Sequence, residues 1–205
     1  APGAGAFGSY ARALLDTYDH RLVHMGHGGE GGTPACTTHF GAVDAEGNTV
    51  ALTQTLLSLF GSKVVLPRTG ILMNNCIISF DPRPGGPNAI APGKRPLSNM
   101  CPAIVERADG VRFAVGGSGG RRILPAVLQL VSFLVDYGMS VDEAIHHPRI
   151  DVSGTEEVTL DERLPAEVID DLAARFETRT APGAVYPTLY ALTNVVGHDS
   201  IRSRN

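Results

Sequence analysis

Four stretches of this chain carry residue types able to do chemistry. Thr37-Thr38-His39-Phe40 opens a segment that turns through Glu46-Gly47-Asn48 and returns as Val50-Ala51-Leu52-Thr53-Gln54-Thr55. Gly70-Ile71-Leu72-Met73-Asn74-Asn75, Lys94-Arg95-Pro96-Leu97-Ser98 and Gly117-Ser118-Gly119-Gly120 follow in that order. A serine or threonine hydroxyl is a poor nucleophile near neutral pH and needs a base within hydrogen-bond reach. Glycines, lacking a Cβ, let a substrate carbonyl come close to backbone N–H groups, which is what stabilising an oxyanion requires. Each stretch alone has a plainer reading, a threonine beginning a strand or a glycine turn ending one. A phosphate cradle at the glycines is disfavoured, because no strand–loop–helix pattern with a suitable lysine follows.

The elements that must position these groups are legible from periodicity. Residues 9–25 read as a helix with Ser9 as its cap and Tyr10, Leu14, Tyr18 and Leu22 four residues apart. Residues 26–34, with five glycines, read as a flexible tether ahead of Thr37. Segments 38–43 and 49–56 read as two strands joined by a turn, and alternation collects Thr49, Ala51, Thr53 and Thr55 on one face of the second. Residues 99–106 and 111–116 predict a hairpin around Ala108-Asp109-Gly110. A helix is expected from about Pro125 to Tyr137, closed by Gly138, and a short one opens at the capping box Ser140-Val141-Asp142-Glu143. Pro165 starts another, with Val168, Ile169, Leu172, Ala173 and Phe176 as its apolar stripe. Strand runs with separate helices predict α+β layers.

In order and spacing, these blocks resemble the small subunit of the gamma-glutamyltranspeptidase family, from about residue 37 to 176. The resemblance implies an N-terminal nucleophile hydrolase with a four-layer αββα sandwich, made as a precursor that cuts itself before a threonine. It implies residues 1–36 as the tail of an upstream large subunit plus a cleavage tether, and 37–205 as the catalytic small subunit. The partner is then the large subunit from the same precursor, and no cofactor is called for. Cleavage between Cys36 and Thr37 would expose an α-amine, whose reference pKa of about 7.7–8 leaves a useful fraction as free base at neutral pH. One residue would then supply both nucleophile and base, and the β-branch of threonine narrows the hydroxyl's direction. Thr55 matches the family threonine that supports the nucleophile, and Gly119 and Gly120 match the oxyanion-hole glycines. Ser98 matches the first of two serines that hold the substrate carboxylate, and Asn99 replaces the second with another hydrogen-bond donor. At His39, also a family match, packing is expected rather than catalysis.

The departures from the family pattern fall on substrate recognition. The positions that hold the substrate's α-ammonium correspond to Leu57, Cys76 and Ser79, none of which is charged, and a buried unpaired cation is costly. A γ-glutamyl group is therefore not the expected acyl donor. The segment between Phe80 and Lys94 is short for a lid, which favours hydrolysis of a small-molecule acyl amide over transfer. Residues 190–205 lack the expected Asp-Pro-Arg pattern. The alternatives are a true gamma-glutamyltransferase or glutathione hydrolase, an acylase of cephalosporin-acylase or natural-product type, and an inactive structural homologue.

Bulk properties narrow the remaining classes. Of 205 residues, 43% are hydrophobic and 19% charged, a globular composition, and a formal charge of −4 supplies no basic footprint for nucleic acid. No apolar run reaches the roughly 18 residues of a membrane span; 123–135 is too short and contains Pro125 and Gln129. The start lacks the basic-then-apolar order of a signal peptide, so the compartment stays open with the cytoplasm favoured. Cys36, Cys76 and Cys101 suggest no disulfide framework, and His20, His24 and His27 read as a solvated helix end rather than a metal site.

Overall fold

In the computed structural model the described residues are 1–25, 36–153, 156–183 and 190–198. The tether at 26–34 and His27 lie outside them. Helix α1 spans Ala4–His20 and runs on as a π-helical turn, Arg21–Met25. It begins five residues before the expected start, so Ser9 is no cap: it sits inside the helix and its hydroxyl donates to the Gly5 carbonyl. Small residues ahead of Phe7 let the helix extend backwards, and Phe7, Ala11, Leu14 and Tyr18 all turn into the core.

Strands β1 (Thr37–Val43) and β2 (Thr49–Thr55) pair antiparallel with Thr37 opposite Thr55. Asp44 ties their turn by accepting from the backbone of Glu46 and Asn48, and Gly47 takes φ +85°. A second sheet has the order β3 (Ala103–Glu106), β4 (Arg112–Ser118), β8 (Leu192–His198), all antiparallel. The expected hairpin is therefore present, but residues 99–102 precede its first strand. β1 and β2 lie against β4 and β8 at close range. Two glycines allow the approach: a Cβ on Gly41 would come 2.6 Å from Val196, and one on Gly116 would come 2.2 Å from the His39 ring.

Helix α2 (Ile123–Val135) covers the other face of β4 and ends before Gly138, which takes φ +62°. Its buried Gln129 brackets Ile150, donating to that carbonyl and accepting from that N–H at 2.8 and 2.9 Å, which ties α2 to β5 (Ile150–Asp151). The capping box at Ser140 opens α3 (Val141–His146) as expected. Pro165 precedes α4 (Ala166–Ala173); Val168 and Leu172 are buried, but Ala173, expected in the stripe, is exposed at its end. A third sheet joins β5 antiparallel to β6 (Val158–Asp161), and β6 parallel to β7 (Thr178–Ala181). The α+β expectation is met, with two sheets face to face and helices behind the second. The outer face of β1–β2 carries Phe40, Val50 and Leu52, all exposed.

Asp151 is buried in this core, and desolvation pushes its carboxyl up to about 6 against the pull of the Ser153 hydroxyl, Arg122 and Arg179. A carboxyl raised in the fold binds its proton more tightly there than in the unfolded chain, so its contribution is present at low pH and lost as pH rises from about 4 to 6. Asp151→Asn should remove this slope. Its stability relative to the parent should rise across that window by an amount on the order of 2–3 kcal/mol, read from denaturation midpoints at stepped pH.

Candidate functional site

The Thr55 hydroxyl, at the end of β2, makes three hydrogen bonds. It accepts from the Thr37 hydroxyl at 3.1 Å and from the Leu57 N–H at 2.8 Å, and donates to the Cys36 carbonyl at 3.0 Å. Antiparallel register produces this, since Thr37 faces Thr55 on the half-buried side of the pair. The Cys36 carbonyl also accepts from the Leu56 N–H at 3.1 Å, while the Cys36 N–H donates to the Leu57 carbonyl at 2.9 Å. The carbonyl next to Thr37 therefore sits between two donors with the Thr37 hydroxyl alongside. Such a pairing can polarise the Cys36–Thr37 peptide bond.

One cleft gathers most residues that the sequence singled out. Thr37, Thr55, Leu57, Cys76, Ser79, Ser98, Asn99 and Gly120 all line it, together with Pro96, Leu97, Met100 and Ile123. No acidic or basic side chain is among these lining residues. Leu57 takes a positive φ of +68°, which turns the chain away from β2 and into the cleft wall. Cys76 and Ser79 bound the 3₁₀ turn Cys76–Ser79, and burial pushes the Cys76 thiol pKa up, so it stays a neutral thiol. The Ser98 hydroxyl accepts from the Met100 N–H at 3.1 Å and keeps its own proton for a ligand. Asn99 has its side-chain oxygen buried without a partner.

Gly119 is not in that lining, although it adjoins Gly120. The two take φ +140° and +61°, conformations that glycine adopts without a Cβ clash, between the end of β4 and the 3₁₀ turn leading into α2. A Cβ on Gly119 would come 3.1 Å from Ala191. Cys36 opens instead onto a second cleft, shared with Thr37, Thr38, Gln54, Thr55 and Leu56. The His39 Nδ1 is 2.7 Å from the Thr53 hydroxyl, its ring lies over Gly116, and burial lowers its pKa, so it is a neutral packing group. No group of three or more His, Cys, Asp or Glu is placed to bind a metal among the described residues. Nor, among them, is any helix long and apolar enough to cross a membrane.

Two asparagines shape the cleft without having been given a role from the sequence. Asn88 is buried and joins its walls, donating to the Ser79 carbonyl at 2.8 Å and accepting from the Leu97 N–H at 3.0 Å. Asn75 accepts from the Ser58 N–H and donates to the Ser58 hydroxyl. Asn75 closes the 70–75 stretch that the sequence singled out, whereas nothing marks Asn88 beyond being a polar residue in an irregular stretch. None of residues 81–94 is among the residues that line the cleft.

Residues 10–194 match the gamma-glutamyltranspeptidase family, and the chain belongs to it. An acylase ACY 1 proenzyme of Pseudomonas is 42% identical over 170 residues, covering 83% of this chain and 30% of that protein. The glutathione hydrolase proenzyme of Bacillus subtilis is 38% identical over 136 residues, 66% of this chain and 23% of that one. This chain thus spans less than a third of the length of these relatives. A threonine-to-alanine variant of Helicobacter pylori gamma-glutamyltranspeptidase superposes with a TM-score of 0.61 at 32% identity, covering 78% of this chain and 89% of that one. Cephalosporin acylase from Bacillus halodurans shares the fold, with a TM-score of 0.61 at 23% identity over 84% of this chain and 31% of its own. The α+β sandwich of N-terminal nucleophile hydrolases is therefore the fold of this chain.

Thr55→Ala removes three hydrogen bonds from around Thr37 while leaving the strand pairing intact. In the full-length protein, any reaction of the Thr37 hydroxyl should slow by roughly tenfold to a hundredfold without stopping. Rate constants for chain cleavage, followed by mass spectrometry, provide the check.

Proposed function

We propose that this chain is the catalytic part of a self-processing amide hydrolase whose nucleophile is Thr37. The observation that carries the reading is the Thr55 hydroxyl, which touches both the Thr37 hydroxyl and the carbonyl of the bond to be cut. In the maturation step, the Thr37 oxygen attacks the Cys36 carbonyl carbon. The C–N bond breaks, the hydroxyl proton passes to the departing amine, and water opens the resulting ester. The new α-amine then serves as base when Thr37 attacks a substrate amide, and Gly119 and Gly120 supply N–H donors to the oxyanion. Water resolves the acyl-enzyme, a reading supported by the short 81–94 segment, which is not among the cleft's lining residues.

Residues 1–36 are the end of the upstream subunit and 37–205 the downstream one. The bare apolar face of β1–β2, with Phe40, Val50 and Leu52, is a surface for the remainder of the upstream subunit and supplies the reason for a heterodimer. Leu57, Cys76 and Ser79 in the cleft, with no charged side chain beside them, favour an acyl donor without an α-ammonium. Ser98 and Asn99 can still take a carboxylate, so a glutaryl- or oxalyl-type acyl amide fits. Similarity to the acylase ACY 1 proenzyme supports that reading, and similarity to the glutathione hydrolase proenzymes supports the second, a gamma-glutamyl transferase or hydrolase.

Two outcomes test this. Mass spectrometry of the full precursor should find a product that begins at Thr37; Thr37→Ala should abolish cleavage and turnover, and Thr37→Ser should retain part of each. A single uncut but active chain would move the nucleophile elsewhere. The second outcome is a donor preference: a glutaryl anilide should exceed the γ-glutamyl anilide in kcat/KM by about tenfold to a hundredfold, the value of a lost charged hydrogen bond. The reverse order by tenfold would make the protein an ordinary transpeptidase.

A further inference from the structure

We propose that α1, which precedes the cleavage point, stays in the catalytic centre after the cut, with Tyr18 as a positioning residue for the Gly119–Gly120 loop. This rests on the reading of those glycines as oxyanion donors. The Tyr18 hydroxyl donates to the Arg121 carbonyl, on the residue directly after the glycine pair. Tyr18 is 2% exposed, and the Arg21 guanidinium lies 5.9 Å from the centre of its ring. Burial lifts the phenol to about 12, so it remains a protonated donor through the neutral range.

The loop needs such a restraint. Both glycines have positive φ, and glycine has the widest range of alternative conformations to relax into. The contacts holding the loop come from different parts of the chain. Inside it, the Arg122 N–H reaches the Gly119 carbonyl at 3.3 Å; just ahead of β8, Ala191 abuts Gly119; from α1, Tyr18 grips Arg121. Donors must keep their geometry through the reaction to stabilise charge as it develops, so a small drift of Gly120 costs rate rather than substrate binding. The upstream helix cannot leave without exposing Phe7, Ala11 and Leu14, each at most 2% exposed.

The distinguishing experiment is Tyr18→Phe in the full-length protein, which removes one oxygen and leaves the ring in place. The expected result is a kcat about tenfold lower with KM within twofold. The affinity for a boronic acid analogue of the acyl group should fall by the same factor, while self-cleavage, whose carbonyl is held by Thr55 and Leu56, stays complete. If Thr37→Ala is inactive but Tyr18→Phe keeps kcat and boronate affinity within twofold, the positioning role is wrong and the catalytic reading stands. A fall in kcat without weaker boronate binding also overturns it. If Thr37→Ala keeps turnover, the catalytic reading itself fails. Should Tyr18→Phe not fold, a trifluorotyrosine at this position ionises at lower pH; kcat must then fall as pH rises in that variant alone, and an unchanged pH profile rejects the proposal.

Discussion

The hydroxyl of Thr55 is the constraint around which the rest of the site is arranged. One oxygen accepts from the Thr37 hydroxyl and the Leu57 N–H and donates to the Cys36 carbonyl, so its bonding capacity is filled. That is possible only if Thr37 and Thr55 face each other across the β1–β2 pair and the chain leaves β2 in the turn that Leu57 makes. A slip of one residue would put Gln54 opposite Thr37 and send the hydroxyls to opposite faces. Register is therefore a chemical requirement here, and the packing of β1–β2 on β4 and β8 enforces it. Gly41 and Gly116 are the points where any side chain would force the sheets apart.

The second dependency is on polar groups that join irregular segments. Between Leu56 and Met100 there is no extended strand or helix, only short turns and isolated bridges, and many of its apolar side chains are exposed, Phe60 and Ile71 among them. A stretch of this kind cannot rely on burial alone to hold a pocket wall. Asn88 and Asn75 supply the alternative, each using its side-chain amide to tie backbone that strand ladders do not reach. The lining of the resulting cleft carries no charged side chain, and the proposed donor preference rests on this, because a neutral, partly apolar wall offers little to repay desolvation of a cation.

The core explains how a chain proposed to be cut at Thr37 can remain one folded unit. α1 contributes some of its most buried side chains, Phe7 and Leu14, to the cluster that also contains Leu130, Phe133 and Leu172. Ring contacts join Phe7 to Phe133 and to His147. Breaking the backbone after Cys36 leaves all of these contacts in place.

Local patterns in the sequence were enough for the two N-terminal strands, the capping box at Ser140, the ends of α2 near Pro125 and Gly138, and the α+β class, because alternation, caps and turn residues act over a few positions. The residues around the cleft were also legible, from Thr37 and Thr55 to Leu57, Cys76, Ser79, Ser98 and Asn99, since their order and spacing match a family pattern. The helix start misplaced at Ser9 failed for a local reason, as small residues before it carry no stop signal. Strands β5 to β7 were missed because two to four residues are too few to show an alternation, and β8 because Leu-Thr-Asn-Val-Val-Gly-His does not alternate apolar with polar residues although its burial does. Only tertiary structure decided that Asn88 bridges the cleft walls, that His39 packs against Gly116 and that Tyr18 reaches Arg121. Each joins residues whose separation along the chain leaves no periodic trace, and their geometry is set by how sheets and helices pack.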